Sequence, residues 1–427
     1  MSDNVSLRKE RGRKSMRETF IVGVGMTPFG RFPEMPLGEL AARAAAETLA
    51  DANASPREAG AIVFANATQG ALESQHGIRG QAALDGAGFG NAPVYNVENA
   101  CASASTALNL AHVLVGSESH DCVLAIGAEK MVMPDPAKSM AAFEGSWDLS
   151  RRQQTIDDLL AMGREMSPPA RAEANEPHSV FMDVYAAFCR HHMAKFGTTQ
   201  RQMAAVSAKN HQHSVHNHRS QYRRSFTVEE VLAARQIVWP LTLPMCSPIS
   251  DGAAAALVCS RAFGERLGVL SRAVRVRASV LMSGDHRDPD RMESHVARKA
   301  SRRAYEAAGL GPEDIDVVEC HDATAFGEIL QSELLEFFEL GGGGPAAERG
   351  ETRIGGRIPF NPSGGLESKG HPIGATGLGQ VFELVGQLRG EAGPRQVANA
   401  KIALAENGGG LRGVEEAAVA ITILERA

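Results

Sequence analysis

The sequence predicts a layered α/β fold made of two similar halves, and three observations carry that expectation. Apolar β-rich runs alternate with Ala-rich helical stretches from the start of the ordered chain to its end. The alternation repeats: an Ala-rich helix, a Pro-containing turn and a buried strand occur over residues 41–66 and again over 296–322, with Pro56 and Pro312 offset by 256 residues. Between the repeats lies a polar insertion, roughly Lys130 to Pro240, rich in Met, Arg and His.

The elements follow in order. Thr19 to Gly25 reads as a strand, β-branched and apolar with glycine at its end. Leu37 to Ala52 has helical periodicity, and Ala61 to Ala65 is a second buried strand. Ala92 to Val97 is extended and gives way to a helix over Ala102 to Val115, which is free of Gly and Pro inside. Cys122 to Ile126 is a strand matched downstream by Ile402 to Ala405. The insertion carries helical stretches at Phe181 to Phe196 and Thr199 to His213. The first half resumes with the turn Ser250-Asp251-Gly252 and a buried strand to Val258. Ile329 to Leu340 reads as a helix, stopped by Gly341 to Gly344 as a flexible loop. Three ordered correspondences mark an internal duplication: the two helix–turn–strand units, the Cys101 helix against the helix after Gly377, and the matched strands. The expected organisation is a disordered basic leader over 1–18, a first half over 19–271 with a loop domain inserted at about 130–240, and a second half over 272–427.

Composition removes several functional classes. With 43% hydrophobic and 22% charged residues the chain is an ordinary globular protein, and 427 residues suffice for a large core. A net charge of −6 gives no general attraction to nucleic acid. No apolar run approaches a membrane span and no signal-peptide core opens the chain, so a cytoplasmic location without membrane contact is expected. Six cysteines without paired spacing suggest free thiols in a reducing compartment and no zinc site.

Two runs carry chemistry. Cys101, in Val97-Glu98-Asn99-Ala100-Cys101-Ala102-Ser103, lies where an extended segment becomes a helix. A helix N-terminus favours a thiolate through its dipole and free N–H groups. His371 lies in Gly370-His371-Pro372-Ile373-Gly374-Ala375-Thr376-Gly377, a tight turn where glycines such as Gly374 let backbone approach a substrate. A thiol and an imidazole brought together by folding make a nucleophilic acyl-transfer site.

These runs, with His321-Asp322-Ala323 and Ser250-Asp251-Gly252-Ala253-Ala254, resemble the thiolase superfamily, in detail its sterol-carrier-protein-2-like branch. The likeness runs from about Phe20 to the C-terminus. It implies two duplicated α-β-α-β-α halves with an inserted loop domain that binds coenzyme A, a homodimer or higher oligomer, and acyl-CoA substrates. Coenzyme A would be a substrate, with no permanently bound cofactor and no metal. Cys101 would be acylated, His371 would hold or accept its proton, and His321 would help form an oxyanion hole. Asp322 would cap a helix or orient a loop.

One departure limits the likeness. Thiolases usually carry a second cysteine in Cys-x-Gly-Gly-Gly; here the run is Glu406-Asn407-Gly408-Gly409-Gly410. A buried carboxylate with a raised pKa can do the same proton transfer, so Glu406 is expected to be the base, with Gly408 and Gly409 giving close backbone approach. Superfamily members without the second cysteine include some that work with a small OB-fold/zinc-ribbon accessory subunit. A partner-dependent enzyme for bulky or aryl β-oxo acyl-CoA, like benzoylsuccinyl-CoA thiolase, or a C-acetyltransferase, is therefore the alternative, and a weakly active scaffold subunit is a second. Arg219 and Arg223 are expected to reach CoA phosphates, as arginine suits phosphate. The histidines at 211, 213, 216 and 218 are read as a solvated helix and turn, and His191 and His192 as surface residues.

Overall fold

A computed structural model describes residues 16–169 and 178–427. The expected basic leader falls almost wholly on residues 1–15, outside the described residues. In chain order the main elements are β1 (Thr19–Met26), α1 (Leu37–Asp51), β2 (Ala61–Ala65), β3 (Val94–Val97), α2 (Ser103–Gly116) and β4 (Cys122–Glu129). The insertion supplies α3 (Val180–Phe196) and α4 (Gln200–Ser214), and β5 (Gly252–Ser260) follows. Then come β6 (Val274–Ser283), α5 (Val296–Ala308), β7 (Val317–Glu319), α6 (Ala325–Leu334), α7 (Thr376–Arg389), β8 (Ile402–Arg412) and β9 (Glu415–Arg426).

The strands form one mixed sheet in the order β3-β2-β4-β5-β1-β6-β9-β8-β7. Its halves mirror each other. In the first, β2 pairs in parallel with β3 and β4, and β5 runs antiparallel to both β4 and β1. In the second, β8 pairs in parallel with β7, and β9 runs antiparallel to both β8 and β6. The bridge Val318–Phe360, also parallel, stands where β3 stands in the first half. Within the sheet the halves join at β1 and β6, through the residue pairs Phe20–Arg275 and Ile21–Val274.

The apolar pattern explains the layers. One core cluster wraps α2 and α7 (Leu108, Ala111, Leu378, Leu384) with strand residues of both halves (Val63, Ala125, Ala403). A second packs α1 on the first half and a third packs α5 on the second. Helix α5 shows why: its Arg and Lys face outward while Val296, Ala300, Ala304 and Ala308 are buried, the spacing of one helical face. The result is α-β-α-β-α layering with α2 and α7 central.

Three expectations need correction. The helix expected over 329–340 spans Ala325–Leu334, and the glycines after it are pinned, not flexible: buried Glu333 accepts Gly341 N–H (2.9 Å) and Gly343 N–H (3.0 Å). Glu333 also faces His192 Nε2 at 3.0 Å, so His192 is core, not surface; it is 3% exposed. His211 and His213 are likewise buried rather than solvated: His211 lies between Pro244 O and Ser368 Oγ, and His213 against Asn361 O. His211 and His213 meet buried loop carbonyls there, at Pro244 and Asn361, and a neutral imidazole N–H satisfies such an acceptor.

Candidate active site

Cys101 lies in a single 3-10 turn, Ala100–Ala102, between β3 and α2. The turn is sharp: Ala100 has φ +47°, which costs a non-glycine residue on the order of 1–3 kcal/mol. Side chains hold it. Ser103 Oγ accepts Asn99 N–H (2.9 Å) and donates to Ala100 O (2.6 Å); Asn99 Nδ2 donates to Thr106 Oγ1 (2.9 Å). From the other side Gly409 presses on the turn, so tightly that a Cβ there would sit 2.5 Å from Ala102 N.

The second half delivers the histidines. His371 follows Gly370 (φ +110°), and its N–H donates to Ser250 Oγ (3.0 Å). Its Nδ1 lies 2.7 Å from Thr376 Oγ1, whose hydroxyl donates to Pro372 O (3.0 Å). That hydroxyl proton is committed, so Nδ1 carries a proton and Nε2 is the bare acceptor. His321 Nε2 approaches it at 3.4 Å and must therefore be the donor. The Cys101 sulfur and one nitrogen of each histidine lie within 4.8 Å of one another.

Buried Glu129 ties the halves together here. It accepts from Asn66 Nδ2, Ala67 N–H and Thr68 N–H and hydroxyl in the first half, and from Gly374 N–H (2.9 Å) in the second. Gly374 therefore shapes the His371 loop: a Cβ there would press on Glu129 Oε2 and Asn66 Cα. It is a structural glycine and does not line the cavity.

Electrostatics correct one expectation. The thiol is not biased toward thiolate: burial, then the Glu129 and Glu98 charges, push Cys101 up to about 12, outweighing its own backbone N–H. Burial also drops His321 to about 4 and holds His371 well below the usual imidazole range. The resting site is thus a neutral thiol facing a neutral, correctly oriented imidazole.

Glu406 is brought to the site but not to its wall. Its Oε2 accepts the His321 backbone N–H (2.9 Å), and the residue does not line the cavity. It positions His321; the expectation that it handles substrate protons is not what this geometry offers. The cavity itself measures about 320 Å³. Around Cys101, His321, His371, Gly408 and Gly409 its wall is apolar, with Phe143, Phe181, Tyr185, Phe188, Phe326 and Leu330. Two carboxylates, Glu415 and Glu416, also line it.

The phosphate assignments fare differently. Arg219 donates to Met26 O and pairs with Glu47 at 2.5 Å, outside the cavity wall, so its guanidinium is engaged within the fold. Arg223 is exposed and also outside the cavity wall. Glu129, Glu416 and the aromatic wall were missed by sequence reasoning. Glu129 and Glu416 each had a signal, a carboxylate at the end of an otherwise apolar strand.

Comparison with known proteins agrees with this geometry. A family model described as thiolase N-terminal domain matches residues 19–231, and one described as thiolase C-terminal domain-like matches 281–424. An acetyl-CoA acetyltransferase of Methanothermobacter thermautotrophicus is 38% identical, covering 93% of this chain and 98% of its own. Human sterol carrier protein 2 is 37% identical over 92% of this chain and 70% of its own. The benzoylsuccinyl-CoA thiolase subunit BbsB of Thauera aromatica is 31% identical, covering 90% and 92%. A solved structure titled Ltp2-ChsH2(DUF35) aldolase shares the fold, with TM-score 0.74 at 22% identity, covering 96% of this chain and 97% of that one. With matching family models in both halves, the acetyl-CoA acetyltransferase and BbsB covered over nine-tenths of their own lengths, and the cysteine and two histidines brought together, the chain belongs to the thiolase family of acyltransferases.

Proposed function

We propose that the chain is an acyl-CoA C-acyltransferase that cleaves or forms a β-ketoacyl-CoA through an acyl-Cys101 intermediate. The observation that carries this is the convergence of Cys101, His321 and His371 within 4.8 Å on the wall of one cavity. His371 Nε2 takes the thiol proton as sulfur attacks the thioester or ketone carbonyl, because a thiol held near pKa 12 must be deprotonated in the act. The His321 Nε2–H donor, which faces His371 at rest, turns to the developing oxyanion; one such donor is worth about 10²–10³ in rate. Coenzyme A enters as substrate, with Gly408 and Gly409 on the cavity wall it would pass. Intact-protein mass spectrometry with acyl-CoA thioesters tests the reading: an acyl adduct on wild type and none on Cys101→Ala is expected. Absence of any adduct on wild type would defeat it.

A second reading concerns the acyl group. The aromatic wall and the 31% identity with BbsB favour a bulky or aryl β-oxo acyl-CoA over acetyl alone, and BbsB's description as a subunit favours a partner protein, of the small OB-fold/zinc-ribbon kind. A second copy of the chain has a place to dock on the open edge of β3, where Tyr95 is exposed. Among the described residues no helix is long and apolar enough to cross a membrane. Adduct yields compared between acetyl-CoA and benzoyl-CoA decide the acyl preference.

A further inference from the structure

Thiolase chemistry needs two proton handlers, and His371 is one. The other must reach coenzyme A sulfur and the substrate α-carbon, so it must stand on the cavity wall. Glu406 does not. Of the two carboxylates that do, Glu415 is fully engaged: it accepts Asp285 N–H (2.8 Å), Val296 N–H (3.0 Å) and Arg287 Nε (2.9 Å). Glu416 is different. It lies across the hairpin from Leu411, and its side chain packs beside Gly408, where a Cβ would sit 2.7 Å from Glu416 Cγ. One oxygen, Oε1, accepts Gln331 Nε2 at 3.2 Å; the other, Oε2, is buried and has no hydrogen-bond partner. His295 Nε2 faces Oε2 from 3.5 Å. His295 Nδ1 accepts Ala297 N–H (3.2 Å), so in the neutral ring the proton sits on Nε2 and points at the carboxylate.

We propose that Glu416, oriented by Gln331 and His295, is the acid/base that replaces the missing second cysteine, a role resting on the acyl-Cys101 reading above. The proton balance closes. In cleavage, the Cys101 proton passes to His371, sulfur bonds to the ketone carbon, the Cα–Cβ bond breaks, and protonated Glu416 gives its proton to the α-carbon of the departing acetyl-CoA. In the second half, Glu416 carboxylate takes the proton of the coenzyme A thiol, whose sulfur bonds to the acyl carbon. The acyl–Sγ bond breaks, and Cys101 sulfur leaves with its electron pair and recovers the proton held by His371. Both groups end as they began. Burial and the repulsion of Glu415 place Glu416 at about 7, against its own backbone N–H, the pull of Arg287 and the Gln331 hydrogen bond, so both protonation states are within reach near neutrality. The other titratable neighbours are His295, Glu406 and Tyr185, and burial leaves His295 and Tyr185 uncharged.

The experiment separates acylation from transfer. Full-length wild type, Glu416→Gln and Glu416→Asp are loaded with an activated aryl thioester, whose leaving thiolate needs no proton, and the adduct is followed by intact mass. Coenzyme A is then added. The expected result is normal loading of Glu416→Gln, transfer to coenzyme A slowed by about 10²–10⁴-fold, and partial recovery in Glu416→Asp. The wild-type transfer rate rises with pH through a single ionisation that Glu416→Gln lacks. Transfer at the wild-type rate in Glu416→Gln overturns the proposal. So does failure of Glu416→Gln to load, which would make Glu416 structural. Failure of wild type to load defeats the acyl-Cys101 reading instead and is thereby told apart.

Discussion

Replacing Gly409 by Ala tests whether β8 sets the position of the nucleophile. The added Cβ would lie 2.5 Å from Ala102 N and 2.9 Å from Ala102 Cβ, and closer still to the Asn99 carbonyl oxygen. Carbon normally stays about 3.3 Å or more from a carbonyl oxygen, so relief requires about an ångström of movement. The atoms in the way are backbone, not flexible side-chain tips. Strand β8 cannot yield easily, because Gly409 sits in the ladder with β9 opposite Ala418, and the strand is anchored to β7 at Ala403–Ala405. The Cys101 turn, already strained at Ala100, is the part that moves. Overpacking of this kind costs about 1–3 kcal/mol of stability. Misplacing a reacting group by about 1 Å can cost about 10²-fold in rate, or about 2.7 kcal/mol of barrier. The assay is the rate of adduct formation on Gly409→Ala by intact mass, beside its urea midpoint. A folded variant that acylates at the wild-type rate would refute the idea that this strand holds the turn.

Further outcomes follow from the same contacts. Gly386→Ala, in α7 with ordinary φ and nothing within 4 Å of the new Cβ, should raise the unfolding free energy measured in urea by about 0.4–1 kcal/mol without changing acylation. Lys130→Met removes the 2.7 Å partner of buried Asp251, leaving a charge held only by the N–H groups of Phe32, Met131 and Val132; a loss of about 3–5 kcal/mol is expected in urea unfolding. Glu129→Gln turns an NH₂ group toward donors and should lower stability by about 1–3 kcal/mol. It should also move the pH profile of Cys101 alkylation downward, since the Glu129 charge raises that thiol. Glu416 reads about 7 in the fold against 4.5 for a free carboxyl. A raised folded value contributes stability that is complete below the unfolded value and lost as pH rises through the folded one. On this group alone the fold weakens by about 3 kcal/mol from acid to alkaline pH, and thermal unfolding of Glu416→Gln should lack that component.

Much of this was legible because the informative residues have backbone roles. Ala61–Ala65 was placed to the residue, and β1, α1 and α3 within one or two, because apolar periodicity and glycine punctuation report local structure directly. The duplication was legible for the same reason. What escaped was burial. Cys101 reads as an activated thiol from its helix position alone, yet the two carboxylates and the surrounding core reverse that bias, and Glu129 lies 28 positions downstream on another strand. The histidines of the insertion read as solvated because their neighbours are polar; they are buried against the Pro244 segment and against second-half loops at Asn361 and Ser368, which no local window contains. Glu416 was hidden by register: only the antiparallel pairing of β8 with β9 puts it beside Gly408.

The duplicated architecture explains why the chemistry sits where it does. Helices α2 and α7 occupy matching positions in the two halves and pack against each other in the central layer. The segment entering α2 carries Cys101 and the segment entering α7 carries His371, so packing two copies of one helix brings two different entry loops together. The strand that follows helps differently in each half. At its C-terminal end β4 contributes Glu129, which crosses to Gly374 and fixes the facing loop. Its counterpart β8 contributes Glu406, which accepts the N–H of His321. The matched strands thus each supply a buried carboxylate, Glu129 from the end of β4 and Glu406 from the middle of β8, and each holds a neighbouring backbone N–H of the site. Neither of these carboxylates stands on the cavity wall, so neither faces the substrate. That leaves the exchange to a carboxylate the repeat does not dictate, and Glu416, one strand further on, is the one the cavity presents.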